Sequence, residues 1–60
     1  MEEIVLLHDW NNNKKPILIN MLEVIYVATV EGHKGSIVVT ENEDFEVTET
    51  VKEIYDMLNK

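Results

Sequence analysis

Two histidines and twelve carboxylates are the residues of this chain that could do chemistry, and there is no cysteine to add a thiolate. His8 precedes Asp9 and Trp10, and His33 sits in a short polar link between Gly32 and Gly35. A zinc site needs three or four ligands held in a fixed geometry, and the two histidines are not at helical or hairpin spacing. Seven of the twelve acids lie between Glu41 and Asp56, with Glu41, Glu43 and Asp44 crowded into one turn. A calcium loop of the EF-hand kind has a glycine at its centre and closes on a bidentate glutamate between two helices. This segment has no glycine and runs from strand to strand, so it reads as a solvated turn. Paired carboxylates do acid–base work only where a pocket sets their pKa values apart, and sixty residues hardly enclose one. There is no glycine-rich phosphate loop, no Ser/His/Asp set that spacing brings together, and no basic aromatic stripe for bases. The expectation is a non-enzymatic protein with no metal and no cofactor.

Charge narrows the partners. Twelve acids against five lysines, with no arginine, leave a formal charge of −7. Affinity for nucleic acid comes largely from Lys and Arg neutralising phosphates, so nucleic acid is not an expected partner, and an anionic membrane surface is disfavoured likewise. No stretch approaches the roughly 20 apolar residues of a membrane span. Met1-Glu2-Glu3 is acidic where a signal peptide would be basic. No membrane insertion and a cytoplasmic location are therefore expected.

These side chains need elements to hold them, and Val24 to Glu41 is the centre of that framework. Two runs rich in β-branched and aromatic residues flank the Gly32–Gly35 link, which reads as a β-hairpin. Before it, Glu3 to His8 is a short apolar strand whose two parities are equally greasy, Ile4 and Leu6 against Val5 and Leu7. Asp9 to Lys15, with three consecutive asparagines, is a reversal. Pro16 opens the strand Ile17-Leu18-Ile19 where its missing N–H costs least, and Asn20 closes it. After the acidic turn, Phe45 and Val47 alternate with Glu46 and Thr48, the pattern of a strand with one wet face. Ile37, Val39, Phe45 and Val47 are the expected core. Thr50 and Glu53 fit a capping box, and Val51, Ile54, Tyr55 and Leu58 form one helical stripe. The sequence thus predicts one domain over residues 1–60 of α+β class. It would be a small antiparallel β-meander of about five strands (roughly 3–8, 16–20, 23–31, 36–41 and 45–47), with one C-terminal helix (roughly 51–59) packed on one face.

A chain of this size buries only ~60% of its unfolded surface, so it needs help to be stable. With disulfides and metal set aside, self-association is the expected aid. Trp10 is the one large aromatic in a polar turn; it either folds back over the edge of the core or joins an interface. Trp10, Ile4, Leu6 and Leu18 are the candidate interaction surface, an apolar patch on the sheet face away from the helix.

The chain also resembles the small FlbD-type flagellar and swarming motility proteins of bacteria. An N-terminal apolar strand and a polar turn lead to an aliphatic strand ending in asparagine, Ile17-Leu18-Ile19-Asn20. The aliphatic segment Val24 to Val27 and a strand–turn–strand–helix unit follow. The likeness is greatest from Ile37 onward, in Val47-Thr48-Glu49-Thr50 and the helix after it. Glu31-Gly32-His33-Lys34-Gly35 replaces the family's Pro-Asp-Thr, Asn42-Glu43 replaces its Asn-Gly, and the Asp9–Lys15 turn is longer. Those departures fit a divergent copy of the kind a phage or mobile element would carry. The resemblance implies a non-catalytic accessory protein of motor output or swarming, working with another protein, and it carries over no catalytic residues. The competing reading is an acidic phage-type inhibitor, a nucleic-acid-mimicking decoy of a basic partner protein.

Overall fold

The computed structural model describes residues 4–11 and 13–59. Five antiparallel strands and one C-terminal helix make up a small α+β fold. Strand β1 (Ile4–His8) pairs with β2 (Pro16–Asn20) as a ribbon, in an unbroken register from Ile4 opposite Asn20 to His8 opposite Pro16. Asn13 and Lys14 both adopt positive φ (56° and 58°) in the turn between them, a conformation that asparagine tolerates well. A 3₁₀ turn, Met21–Glu23, follows and is capped by the Asn20 side chain, which accepts from the Leu22 N–H at 3.0 Å. It turns the chain into a second sheet of three strands, β3 (Val24–Thr29), β4 (Ser36–Thr40) and β5 (Asp44–Val47), in the order β3-β4-β5. Residue 3, expected in the first strand, lies outside the described residues.

The meander is therefore divided: β2 and β3 follow one another but do not pair. The sheets are joined at a different place. Just past β1, Asp9 bridges Val47, with Trp10 N–H donating to Glu46 O (2.8 Å) and Thr48 N–H to His8 O (2.9 Å). The chain just past β1 thus touches the end of the β5 edge at one bridge, while β2 and β3 have no bridge on their outer sides among the described residues.

Val5, Leu7 and Ile19 from the ribbon meet Val38 and Val47 from the three-stranded sheet and Ile54 from the helix in one buried cluster. The parity of β4 corrects an expectation. Ile37 and Val39 are not core residues; Val38 is, fully buried opposite the half-buried Phe45. The inward face of β4 reads Ser36, Val38, Thr40, and its polar members disguised it. Ser36 is also fully buried, but its hydroxyl donates to Glu49 O at 2.7 Å, so its burial leaves no hydrogen-bonding group unpaired. Ile37 lies opposite Glu46 and Val39 opposite Asp44, on the outer face.

Helix α1 (Val51–Leu58) begins at a complete capping box. Thr50 Oγ1 accepts from Glu53 N–H (3.1 Å), and Glu53 Oε1 accepts from Thr50 N–H (2.9 Å). Ile54 is its buried residue, with Val51 and Met57 half-buried beside it. An eight-residue helix is too short to persist alone, so cap and packing share the work. Thr50→Ala is expected to lower unfolding free energy by about 1 kcal/mol, read as a lower urea midpoint at unchanged slope.

Candidate interaction surface

Residues opposite each other in an antiparallel ladder share a face, so burying Val5, Leu7, Ile17 and Ile19 turns Ile4, Leu6 and Leu18 outward together. Leu6 lies directly opposite Leu18, and they are 50% and 72% exposed, with Ile4 at 49%. Three of the four expected surface residues therefore form one exposed apolar patch on the outer face of the ribbon. The competition between the parities of β1 is settled by which face the other sheet and the helix cover.

Trp10 stands apart from that patch. Its ring stacks on His33 with centroids 3.8 Å apart and planes 16° from parallel. Lys14 Nζ lies 4.3 Å from the Trp10 ring centroid and donates to Trp10 O at 3.0 Å, which gives the positive φ of Lys14 a compensating contact. The Trp10–His33 stack ties the ribbon turn to the β3–β4 loop. His33 accepts at Nδ1 from Gly35 N–H (3.0 Å), which puts its proton on Nε2. Nε2 is buried without a hydrogen-bond partner, 3.5 Å from Glu46 Oε1, a near-contact of opposite charge character rather than a formed bond.

The other histidine anchors a polar junction. Glu49 accepts from His8 twice, from the backbone N–H at 3.0 Å and from Nδ1 at 2.7 Å, and its own carbonyl accepts from Ser36. One glutamate thereby connects β1, β4 and the entrance to α1. Burial pushes the Glu49 carboxyl up, but hydrogen bonds from the His8 ring and backbone, from its own backbone N–H, and the charge of His8 outweigh it. The net effect holds Glu49 below its ordinary 4.5. A carboxylate with a lowered folded-state pKa stabilises the fold above its unfolded value, and that contribution is lost as pH falls through the folded value. Glu49→Gln should therefore lower the thermal midpoint at about pH 7, and that loss should shrink as pH falls below the ordinary 4.5 and through the lowered folded value of Glu49. A loss that stays constant as the solution is acidified would refute the linkage.

A second exposed apolar group was not anticipated. The β3–β4 register skips between Val24 and Tyr26, and this bulge turns Ile25 and Tyr26 to the solvent, where both are exposed. Its cue in the sequence was a third strand with consecutive apolar residues and no alternation. Alongside α1 runs an open acidic groove of about 580 Å³ lined by Thr48, Glu49, Glu53, Asp56 and Met57. Among the described residues no group of three or more His, Cys, Asp or Glu is placed to hold a metal ion. No helix among them is long and apolar enough to cross a membrane.

The geometry defines a class: a small acidic α+β chain with one shared core and with Ile4, Leu6 and Leu18 exposed on the ribbon. No protein-family model, curated protein or solved structure matches it.

Proposed function

We propose that this chain is a non-enzymatic protein-interaction module that associates with itself and presents its acidic exterior to another protein. The observation that carries this reading is the outer ribbon face. Ile4, Leu6 and Leu18 are exposed beside a free strand edge, although the same ribbon buries Val5, Leu7 and Ile19 in a complete core. Exposed apolar clusters next to an unpaired edge mark interfaces. A role as an accessory to flagellar or swarming machinery, inside the cell, agrees with the resemblance of its strand–turn–strand–helix unit to the FlbD-type proteins. The acidic-decoy reading draws less support, because Glu46 and Glu49 face His33 and His8 within the fold rather than a partner.

The test is native mass across a dilution series, by light scattering or native mass spectrometry. A discrete oligomer that persists on dilution and loosens when Leu6 or Leu18 is replaced by serine supports the reading. A monomer at every concentration removes the self-association part of it.

A further inference from the structure

We propose that two copies of this chain join through the free edge of β2, antiparallel and centred on Leu18, so that two ribbons make one four-stranded sheet. The inference rests on the self-association reading and adds the edge, the register and the charges that select it.

Of the four edges of the two sheets, those of β1 and β5 meet at the Asp9–Val47 bridge, whereas β2 and β3 carry no bridge on their outer sides among the described residues, and these two differ. β3 carries the bulge at Ile25, an irregularity that protects edges by disturbing the ladder a partner would need. It is also bounded by Glu23 before it and Glu31 after it. Antiparallel pairing of two β3 strands would bring the Glu23 end of one copy to the Glu31 end of the other, acid against acid.

β2 has the opposite character. Its five residues hold no charged side chain and keep register with β1 without a bulge. Lys14 and Lys15 precede it, and Glu23 follows in the 3₁₀ turn. Antiparallel pairing brings the Lys14–Lys15 end of each copy to the Glu23 end of the other, with Lys15 diagonal to Glu23, and the two-fold axis makes that match twice. Like-charged residues facing each other are destabilising and opposite charges favourable. Of these two edges, β2 is the one that converts this chain's charges into attraction for its own copy.

Centred on Leu18, the register sets Ile17 opposite Ile19 of the second copy and Leu18 opposite its counterpart. Pro16 falls opposite Asn20, so its missing N–H removes a ladder bond only at the two ends. Within each ribbon Leu6 already faces Leu18. The joined sheet therefore carries a row of four leucines across its outer face, Leu6 and Leu18 of each copy. Side chains exposed in the single chain become cross-strand neighbours.

The experiment measures the dimer dissociation constant by sedimentation equilibrium for the whole chain and four variants, with circular dichroism to verify folding. Leu18→Lys sets two lysines face to face at the centre, and the 72% exposure of Leu18 means the fold survives it. It should weaken the dimer about tenfold or more, and Lys15→Glu and Glu23→Lys should each do so to a similar degree. The double variant Lys15→Glu/Glu23→Lys restores opposite charges and should return to within about threefold of the original. A dimer indifferent to Leu18→Lys and to both single charge changes would overturn this edge while leaving self-association standing. A wild-type chain that is monomeric at every concentration would overturn both.

Discussion

Gly35→Ala is expected to unfold the protein at room temperature. A Cβ at position 35 would stand 1.8 Å from Val47 O, 2.9 Å from Val47 C and 3.1 Å from Thr48 C. All three are backbone atoms, so no side chain can swing aside to make room. The atoms that would have to move belong to the end of β5, where β5 pairs with Ser36, is bridged by Asp9, and donates from Thr48 to His8. Moving them opens the joint between the two sheets. A loss above about 4 kcal/mol is exceptional for one substitution, and it equals the ~3–5 kcal/mol a domain this small commonly has in total. Gly32→Ala is the control. Gly32 has φ of 103° with nothing within 4 Å of its Cβ position, so alanine there meets only backbone strain, about 1–3 kcal/mol. Urea denaturation followed by circular dichroism separates the two: a folded baseline for the position 32 variant and none for position 35. A cooperative transition near that of wild type for Gly35→Ala would contradict the close approach of the β3–β4 loop to β5.

Leu7→Ala should have the next largest effect. Leu7 is fully buried in the cluster shared by the ribbon, the three-stranded sheet and α1. Truncating a buried leucine removes its transfer free energy and leaves a cavity, about 2–5 kcal/mol in all. The adjacent Leu6 is half exposed on the other face, and Leu6→Ala should change the stability of the dissociated chain by only about 0.5 kcal/mol. Thermal melts at one fixed low protein concentration keep association out of the comparison. The neighbouring leucines, identical in type, should thus differ several-fold in cost. Similar losses at the two sites would mean that the ribbon is not seated on the sheet by its Val5–Leu7 face.

The elements whose cause lies within a few residues could be read from the chain itself. The helix announces itself through Thr50, Glu53 and the Val51–Ile54 part of its stripe, because capping and helical periodicity act across one or two turns; Tyr55 and Leu58, expected on that stripe, are exposed, and Met57 is half-buried instead. Asn20 marks the end of β2 because its side chain reaches only as far as Leu22. Phe45 and Val47 show their inward face because the residues between and after them are polar. Ile4, Leu6 and Leu18 suggest themselves as surface candidates, but the two equally apolar parities of β1 leave its inward face open, and the sheet and helix that cover Val5 and Leu7 decide it.

What needed the tertiary structure was every decision made by residues distant in sequence. β4 is apolar at Ile37 and Val39 but carries Ser36 and Thr40 beside Val38 on the other parity, so its facing depends on β5 and on the Glu49 carbonyl that accepts from Ser36, thirteen positions away. Without that acceptor a buried serine is unfavourable, and Ile37 and Val39 look like the better core. Glu49 reads as one acid among many, yet it joins β1 to the helix entrance because His8, forty-one positions earlier, arrives beside it. Trp10 found a stacking partner in His33 rather than a place in the core, since the Asp9–Val47 bridge carries the ribbon turn to the β3–β4 loop. Local propensity and capping determine which segments are strand or helix. Which face each segment buries, and which edge it leaves open, follows from non-local contacts that exist only once the chain has closed on itself.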